Sequence, residues 1–123
     1  MTTALRILLV EDDPEQAMLF SKVLRKSGYA VDIAATAEEA QQSLARSPYT
    51  MLLADWSLPG MQGDELIRQA KAQHAAMKTV LYSNHANVDK AAAAARADAW
   101  FRKIEGVARL RQLIAELLPG NTK

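Results

Sequence analysis

Four places in the chain carry side chains able to hold a metal ion or attack an electrophile, and each stands behind an apolar run. Glu11-Asp12-Asp13 follow "LRILLV", Asp55 follows "MLLA", Ser83 follows "TVLY", and Lys103 stands just past "AWF" and Arg102. Carboxylates gathered in one place repel, and each favours protonation unless a cation neutralises them. A hard divalent ion answers that need. Magnesium takes one or two carboxylates, keeps waters and accepts phosphate oxygens as its remaining ligands. The set therefore points to phosphate chemistry, with the carboxylate of Asp55 attacking a phosphoryl group to give an acyl phosphate. The ammonium of Lys103 then pairs with one phosphate oxygen and the hydroxyl of Ser83 donates to another. Taken alone, Asp55 before "WSLPG" reads as turn chemistry. Its company of Asp12, Ser83 and Lys103 makes it a nucleophile.

Those residues can meet only if the elements between them bring four strand ends to one edge. Apolar runs at 5–10, 30–34, 51–54, 79–82 and 99–101 alternate strictly with segments of helical period: "EQAMLFSKVLRKSG", "AEEAQQSLARS", "GDELIRQAKAQ", "VDKAAAAARA" and "VARLRQLIAELL". Such alternation builds βαβ units around a parallel sheet with helices on both faces. The expected fold is a three-layer, doubly wound, flavodoxin-like α/β domain of strand order 2-1-3-4-5, in which ligands bind outside the carboxyl ends of the strands. Three of the runs lack polar alternation, as strands covered on both faces do, whereas Asp32 interrupts "AVDIA" and marks an edge. Asp13 before Pro14 predicts the cap of the first helix, with Gln16 reaching back, and Thr36 with Glu39 predicts a capping box for the second. Gly28 stops the first helix. Ala17, Phe20, Val23 and Leu24 form the expected buried stripe of that helix, and Val107, Leu110, Ile114 and Leu117 that of the last.

The totals narrow the classes further. With 123 residues, 50% of them hydrophobic, the chain fits one domain over 1–123, whose last residues, 117–123, read as a tail or the start of a linker. A net charge of +1 gives no field that would draw nucleic acid or an anionic membrane. The absence of cysteine excludes disulfides, thiolate catalysis and Cys-ligated metal sites. The apolar run near the N-terminus is too short for a signal peptide or a membrane span, so a cytoplasmic protein is expected. His74 and His85 read as surface residues, and without a second histidine at ligand spacing neither argues for zinc.

Read in order, "ILLVEDD", "LLADWSLPGMQG", "TVLYS" and "WFRK" resemble the receiver domain of the two-component response regulators, and the resemblance covers nearly the whole chain. It implies that Asp55 accepts a phosphoryl group from a phosphohistidine on a histidine kinase or histidine phosphotransfer protein, with Mg2+ or Mn2+ required. It implies metal binding by Asp12, Asp55, Glu11 through water and the backbone carbonyl of Ser57, while Asp13 keeps its role as a cap. Ser83 matches the family's conserved hydroxyl, Trp100 its switch aromatic and Lys103 its lysine. Phosphorylation would remodel the surface of helix four, strand five and helix five, where the resemblance also implies homodimerisation. The chain would catalyse its own phosphorylation and slow dephosphorylation rather than turn over a substrate. Its output would pass to a downstream protein or to an output domain beyond Lys123, with no nucleic acid bound directly.

Some positions depart from that pattern. The family follows its lysine with proline in a cis peptide, and here Ile104 stands there; a cis bond before a non-proline costs about 2.5–4 kcal/mol, so a trans bond, an altered turn and a changed aim for Lys103 are expected. Asn84 stands where relatives carry a small residue, and its amide is expected to narrow the approach to Asp55. Arg96 replaces a common glycine, and Trp100 is bulkier than the usual tyrosine or phenylalanine. His85 lies where it could touch attacking water. Ile104 and Asn84 are the features that favour the alternative, a pseudo-receiver that works as an interaction module without phosphorylation. An aspartate-nucleophile phosphatase would want a second acid in "DWS", and a flavin carrier a Ser, Thr and Gly-rich loop in place of "EDDPEQ".

Overall fold

The computed structural model describes residues 5–118. Its elements run β1 (Arg6–Val10), α1 (Pro14–Lys26), β2 (Ala30–Ala34), α2 (Ala37–Arg46), β3 (Met51–Asp55), α3 (Gly63–Gln73), β4 (Lys78–Tyr82), α4 (Val88–Ala95), β5 (Ala99–Phe101) and α5 (Gly106–Leu117), with a 3-10 turn over Lys103–Glu105. The strands form one parallel sheet in the order β2-β1-β3-β4-β5. This is the doubly wound, flavodoxin-like arrangement that the alternation predicted.

The sheet divides the core in two, and the division follows from the two-residue period of the strands. Leu8, Val10, Leu52, Ala54 and Leu81 face one way, onto Ala40, Leu44, Leu66, Ile67 and Ala92 of α2, α3 and α4. Ile7, Leu9, Met51, Leu53, Val80 and Tyr82 face the other way, onto Phe20 and Leu24 of α1 and Leu110 and Ile114 of α5. A strand covered on both faces must be apolar at every position, which is why β3, in the middle of the sheet, is buried throughout. At the edge, β2 leaves Ile33 exposed, and its Asp32 meets Arg6 at 2.5 Å and the hydroxyl of Tyr49 at 2.6 Å.

The caps show where local reading stops. Asp13 Oδ1 accepts the N–H of Glu15 at 3.1 Å, yet the N–H of Asp13 donates to Glu11 at 3.2 Å, so Gln16 does not close the box. Thr36 Oγ1 accepts the N–H of Glu39 at 3.1 Å, and Glu39 reaches past the cap to the N–H of Ala35 at 3.0 Å. In α1 Ser21 is buried while Val23 is only half-buried, and in α5 Leu113 joins Leu110 and Ile114 inside while Val107 and Leu117 are half-buried. Gly28 follows α1 at φ 99°, as its role as helix stop requires. Leu117 ends α5 and Leu118 is buried, so only 119–123 of the expected tail lies outside the described residues. Among the described residues no helix is long and apolar enough to cross a membrane.

Arg96 closes α4 in the left-handed region, at φ 62° and ψ 35°. Here glycine would be free of the Cβ clash that an arginine bears. Replacing Arg96 with glycine should raise stability by about 0.5–1 kcal/mol, the strain relieved less the extra entropy of an unfolded glycine, as a higher urea midpoint with unchanged slope.

Candidate functional site

Each acidic or basic residue of the site stands where a strand leaves the sheet. Glu11 and Asp12 follow β1, Asp55 is the last residue of β3, Ser83 follows β4, and Lys103 opens the turn after β5. One carboxylate oxygen from each of Glu11, Asp12 and Asp55 lies within 4.8 Å of the others. Glu11 and Asp55 are buried, at 2% and 3% exposure, while Asp12 is exposed at the mouth. Lys103 Nζ lies 2.9 Å from Asp55 Oδ2 and 3.5 Å from Glu11 Oε1. The expected change in its aim is therefore not found, although no described peptide bond is cis. A single ammonium among three carboxylates leaves a negative excess on hard oxygen donors. That donor set fits a divalent cation of the magnesium kind.

Asp55 is held by its backbone as well as by its charge partner. Its Oδ1 accepts the N–H of Ser57 at 3.1 Å, which orients the carboxylate, and Ser57 itself is exposed in the following loop. Behind it, the first residue of α3 comes so close that a Cβ on Gly63 would sit 2.0 Å from the carbonyl oxygen of Asp55. Only glycine fits. The N–H of Gly63 donates to the carbonyl of Trp56 at 3.0 Å, fastening α3 to the end of β3.

Glu11 has a partner that sequence reasoning missed. The hydroxyl of Tyr82, fully buried at the end of β4, donates to Glu11 Oε1 at 2.7 Å. The Tyr82 ring stacks on Phe101 at 5.2 Å and meets Phe20 edge-on at 5.2 Å, so packing fixes the phenol. Burial pushes the carboxyl of Glu11 up, the Tyr82 hydrogen bond pulls it down, the nearby charge of Asp55 adds to the rise, and the net direction is up. Burial, followed by the charge of Glu11, drives the Tyr82 phenol well above its ordinary value. For Lys103 burial pulls downward, but the hydrogen bond to Asp55 and the charges of Asp55 and Glu11 outweigh it, and the ammonium form is favoured. The only signal for Tyr82 in the sequence is one aromatic hydroxyl inside an apolar run.

Of the remaining expected residues, Ser83 stands at the same edge of the sheet as the cluster and His74 at the opposite edge. Ser83 is buried and its Oγ accepts the N–H of His85 at 3.1 Å. Trp100 is half-buried against the α4 side of the core, with the guanidinium of Arg102 5.1 Å from its ring centre. His85 is exposed and lies edge-on to Trp56 at 5.1 Å. Asn84, exposed beside Ser83, has its Oδ1 turned to the N–H of Ile104, which it accepts at 2.9 Å. His74 is half-buried as the C-cap of α3.

The raised pKa of Glu11 has a consequence for stability. A group whose folded value lies above its unfolded one, about 4.3 for glutamate, contributes stability that is full below the unfolded value and is lost as pH rises through the folded value. In metal-free buffer, the wild type should thus lose ground to Glu11→Gln as pH rises above the unfolded glutamate value of about 4.3, read as the difference in urea midpoints. A difference that stays constant with pH would contradict the assignment.

A family model described as the response regulator receiver domain matches residues 7–115. Among curated relatives, the response regulator protein PilR of Pseudomonas aeruginosa is 28% identical over 115 residues, covering 92% of this chain and 26% of that protein. The regulatory protein VanRB of Enterococcus faecalis is 37% identical over 71 residues, covering 58% of this chain and 32% of that protein. The chain thus spans about a third or less of the length of these two relatives. Among solved structures, a CheY-like response regulator receiver domain protein from Methanospirillum hungatei is 30% identical, covers 97% of both chains and superposes with a TM-score of 0.89. The chemotaxis response regulator CheY4 of Vibrio cholerae, at 22% identity and a TM-score of 0.86 over 94% of this chain and 100% of that one, shares the fold.

Proposed function

Because this chain belongs to the response regulator receiver domain family, which serves two-component phosphorelay signalling, we propose that Asp55 accepts a phosphoryl group from a phosphohistidine on a histidine kinase or histidine phosphotransfer protein. One observation carries the reading: Lys103 Nζ rests 2.9 Å from Asp55 Oδ2 while Glu11 and Asp12 converge on the same point. In the transfer a carboxylate oxygen of Asp55 attacks phosphorus, the phosphorus–nitrogen bond breaks, and the imidazole leaves to take up a proton. The Ser57 N–H and the Lys103 ammonium hold the carboxylate for that attack, and Lys103 then pairs with a phosphoryl oxygen. The metal-holding residues are Asp12, Asp55, the carbonyl of Ser57 and, through water, Glu11. Mg2+ or Mn2+ held there would supply positive charge to offset the negative charge of the carboxylates and of the phosphoryl group.

In this reading Ser83 turns from the His85 N–H toward the phosphoryl group, and Trp100 follows, shifting the population of the surface formed by α4, β5 and α5. That surface is the place for an output partner or a second copy of the chain. Residues 1–123 form one receiver domain that works in the cytoplasm, alone or joined to an output domain, without itself binding nucleic acid or membrane. The competing reading is a pseudo-receiver, favoured by the departures at Ile104 and Asn84. The contact of Lys103 with Asp55 weighs against it.

Incubation with Mg2+ and acetyl phosphate should add one phosphoryl group, read by intact mass, and change the fluorescence of Trp56 or Trp100. Asp55→Asn should abolish both signals. Lys103→Ala should slow labelling about tenfold to a hundredfold, the worth of a charge-assisted hydrogen bond. A wild type that stays unlabelled by acetyl phosphate and by phosphorylated kinases would establish the pseudo-receiver.

A further inference from the structure

The last rungs between β4 and β5 run one step beyond the sheet. Ser83 N–H donates to the Phe101 carbonyl at 3.3 Å, and Lys103 N–H donates to the Ser83 carbonyl at 3.3 Å. The next donor, the N–H of Ile104, is taken by a side chain, Asn84 Oδ1, at 2.9 Å. This rung is shorter than the two before it. On the other flank the Arg102 guanidinium donates to the Ala86 carbonyl at 3.0 Å, and the Arg102 N–H donates to Glu105 Oε2 at 2.8 Å. Lys103 is therefore bracketed by neighbours that are both tied to the loop between β4 and α4.

The bracket matters because the lysine side chain is long. Holding its flexible torsions in one arrangement costs side-chain entropy, and any freedom in the backbone beneath it adds to that cost. A proline at position 104 would stiffen the turn through its ring but would offer no N–H. Ile104 supplies the donor, and Asn84 supplies an acceptor of the right length. Ile104 is itself 83% exposed, so no packing of its side chain fixes the turn. The turn is held by hydrogen bonds instead, and among them the Asn84 bond is the one made at the residue next to Lys103 on its C-terminal side.

We propose that Asn84 is a positioning residue: by accepting the Ile104 N–H it fixes the trans turn that aims Lys103 at Asp55. The two departures from the family pattern are thus one device, each supplying what the other needs. Because Asn84 adjoins Ser83, the same bond yokes the Ser83 loop to the Lys103 turn. The consequence for phosphoryl transfer rests on the function proposed above; the aim of Lys103 does not.

Two measurements on the full chain separate these claims. In metal-free protein, acetylation of Lys103 by acetic anhydride, followed by peptide mass spectrometry, should be about twofold to tenfold faster in Asn84→Ala, the range set by one hydrogen bond. Lys71, paired with Asp98 at 3.1 Å and 23% exposed, should keep its wild-type rate and so reports any general loosening of the fold. With Mg2+ and acetyl phosphate, Asn84→Ala should slow phosphoryl uptake by a similar factor. In an Ile104→Pro background, which has no N–H to hold, the same substitution should change neither rate. Equal Lys103 labelling in wild type and Asn84→Ala, a parallel rise at Lys71, or an undiminished effect in the Ile104→Pro background would overturn the proposal. A Lys103 response in a wild type that takes up no phosphoryl group would support the positioning role and sink the phosphotransfer function instead.

Discussion

Like charges brought to one point without water around them repel, and everything at this end of the sheet answers that repulsion. Glu11 and Asp55 are buried and Asp12 joins them from the surface. A chain with free choice would keep such groups apart. Here the parallel order of the strands denies that choice, because β1 and β3 are neighbours and both end at the same edge. What makes the arrangement tolerable is the set of donors aimed into it: the Lys103 ammonium, the Tyr82 hydroxyl, and the N–H groups of Ser57 and Asp13. Each satisfies an oxygen without cancelling the excess of negative charge. That excess is what suits the site to a divalent cation.

The two halves of the core stand in different relation to this centre. On the α1 and α5 side, Tyr82, Phe20 and Phe101 form an aromatic cluster whose one polar atom is spoken for by Glu11. That face is built to hold still. On the α4 side small side chains dominate, Ala92 and Ala95 among them, and Trp100 is only half-buried beside them. Small residues fix a helix less firmly than large ones, since each gives up less surface on leaving. A change at Asp55 therefore meets a stiff wall on one side of the sheet and a more yielding one on the other, and Trp100 stands on the yielding side.

Much of this was legible in the amino-acid order, for a definite reason. Strands covered on both faces cannot carry polar residues, so the first polar residue after each run marks where the chain leaves the sheet, and the site was found by reading those exits. Period and caps gave the helices to within a residue or two. What could not be read were bonds between groups distant in the chain. Tyr82 is a member of an apolar run until the fold sets its hydroxyl 2.7 Å from Glu11, 71 positions away. Asn84 and Ile104 each look like a flaw when taken singly and become a pair only in three dimensions. The cap of α1 forms at Asp13 as expected, but its second half is replaced locally: Glu11, two residues back, accepts the N–H that Gln16 was expected to satisfy.

Position 63 shows how tightly the candidate site and the architecture are joined. The helix α3 begins against the very peptide group of Asp55, with no space for even one extra carbon. A methyl group there would act as a wedge between helix and strand. Since β3 is buried along its whole length, the helix start or the strand end would have to shift to relieve it. Because every atom it would meet is backbone, that shift would cost stability and disturb the aim of the Asp55 carboxylate together.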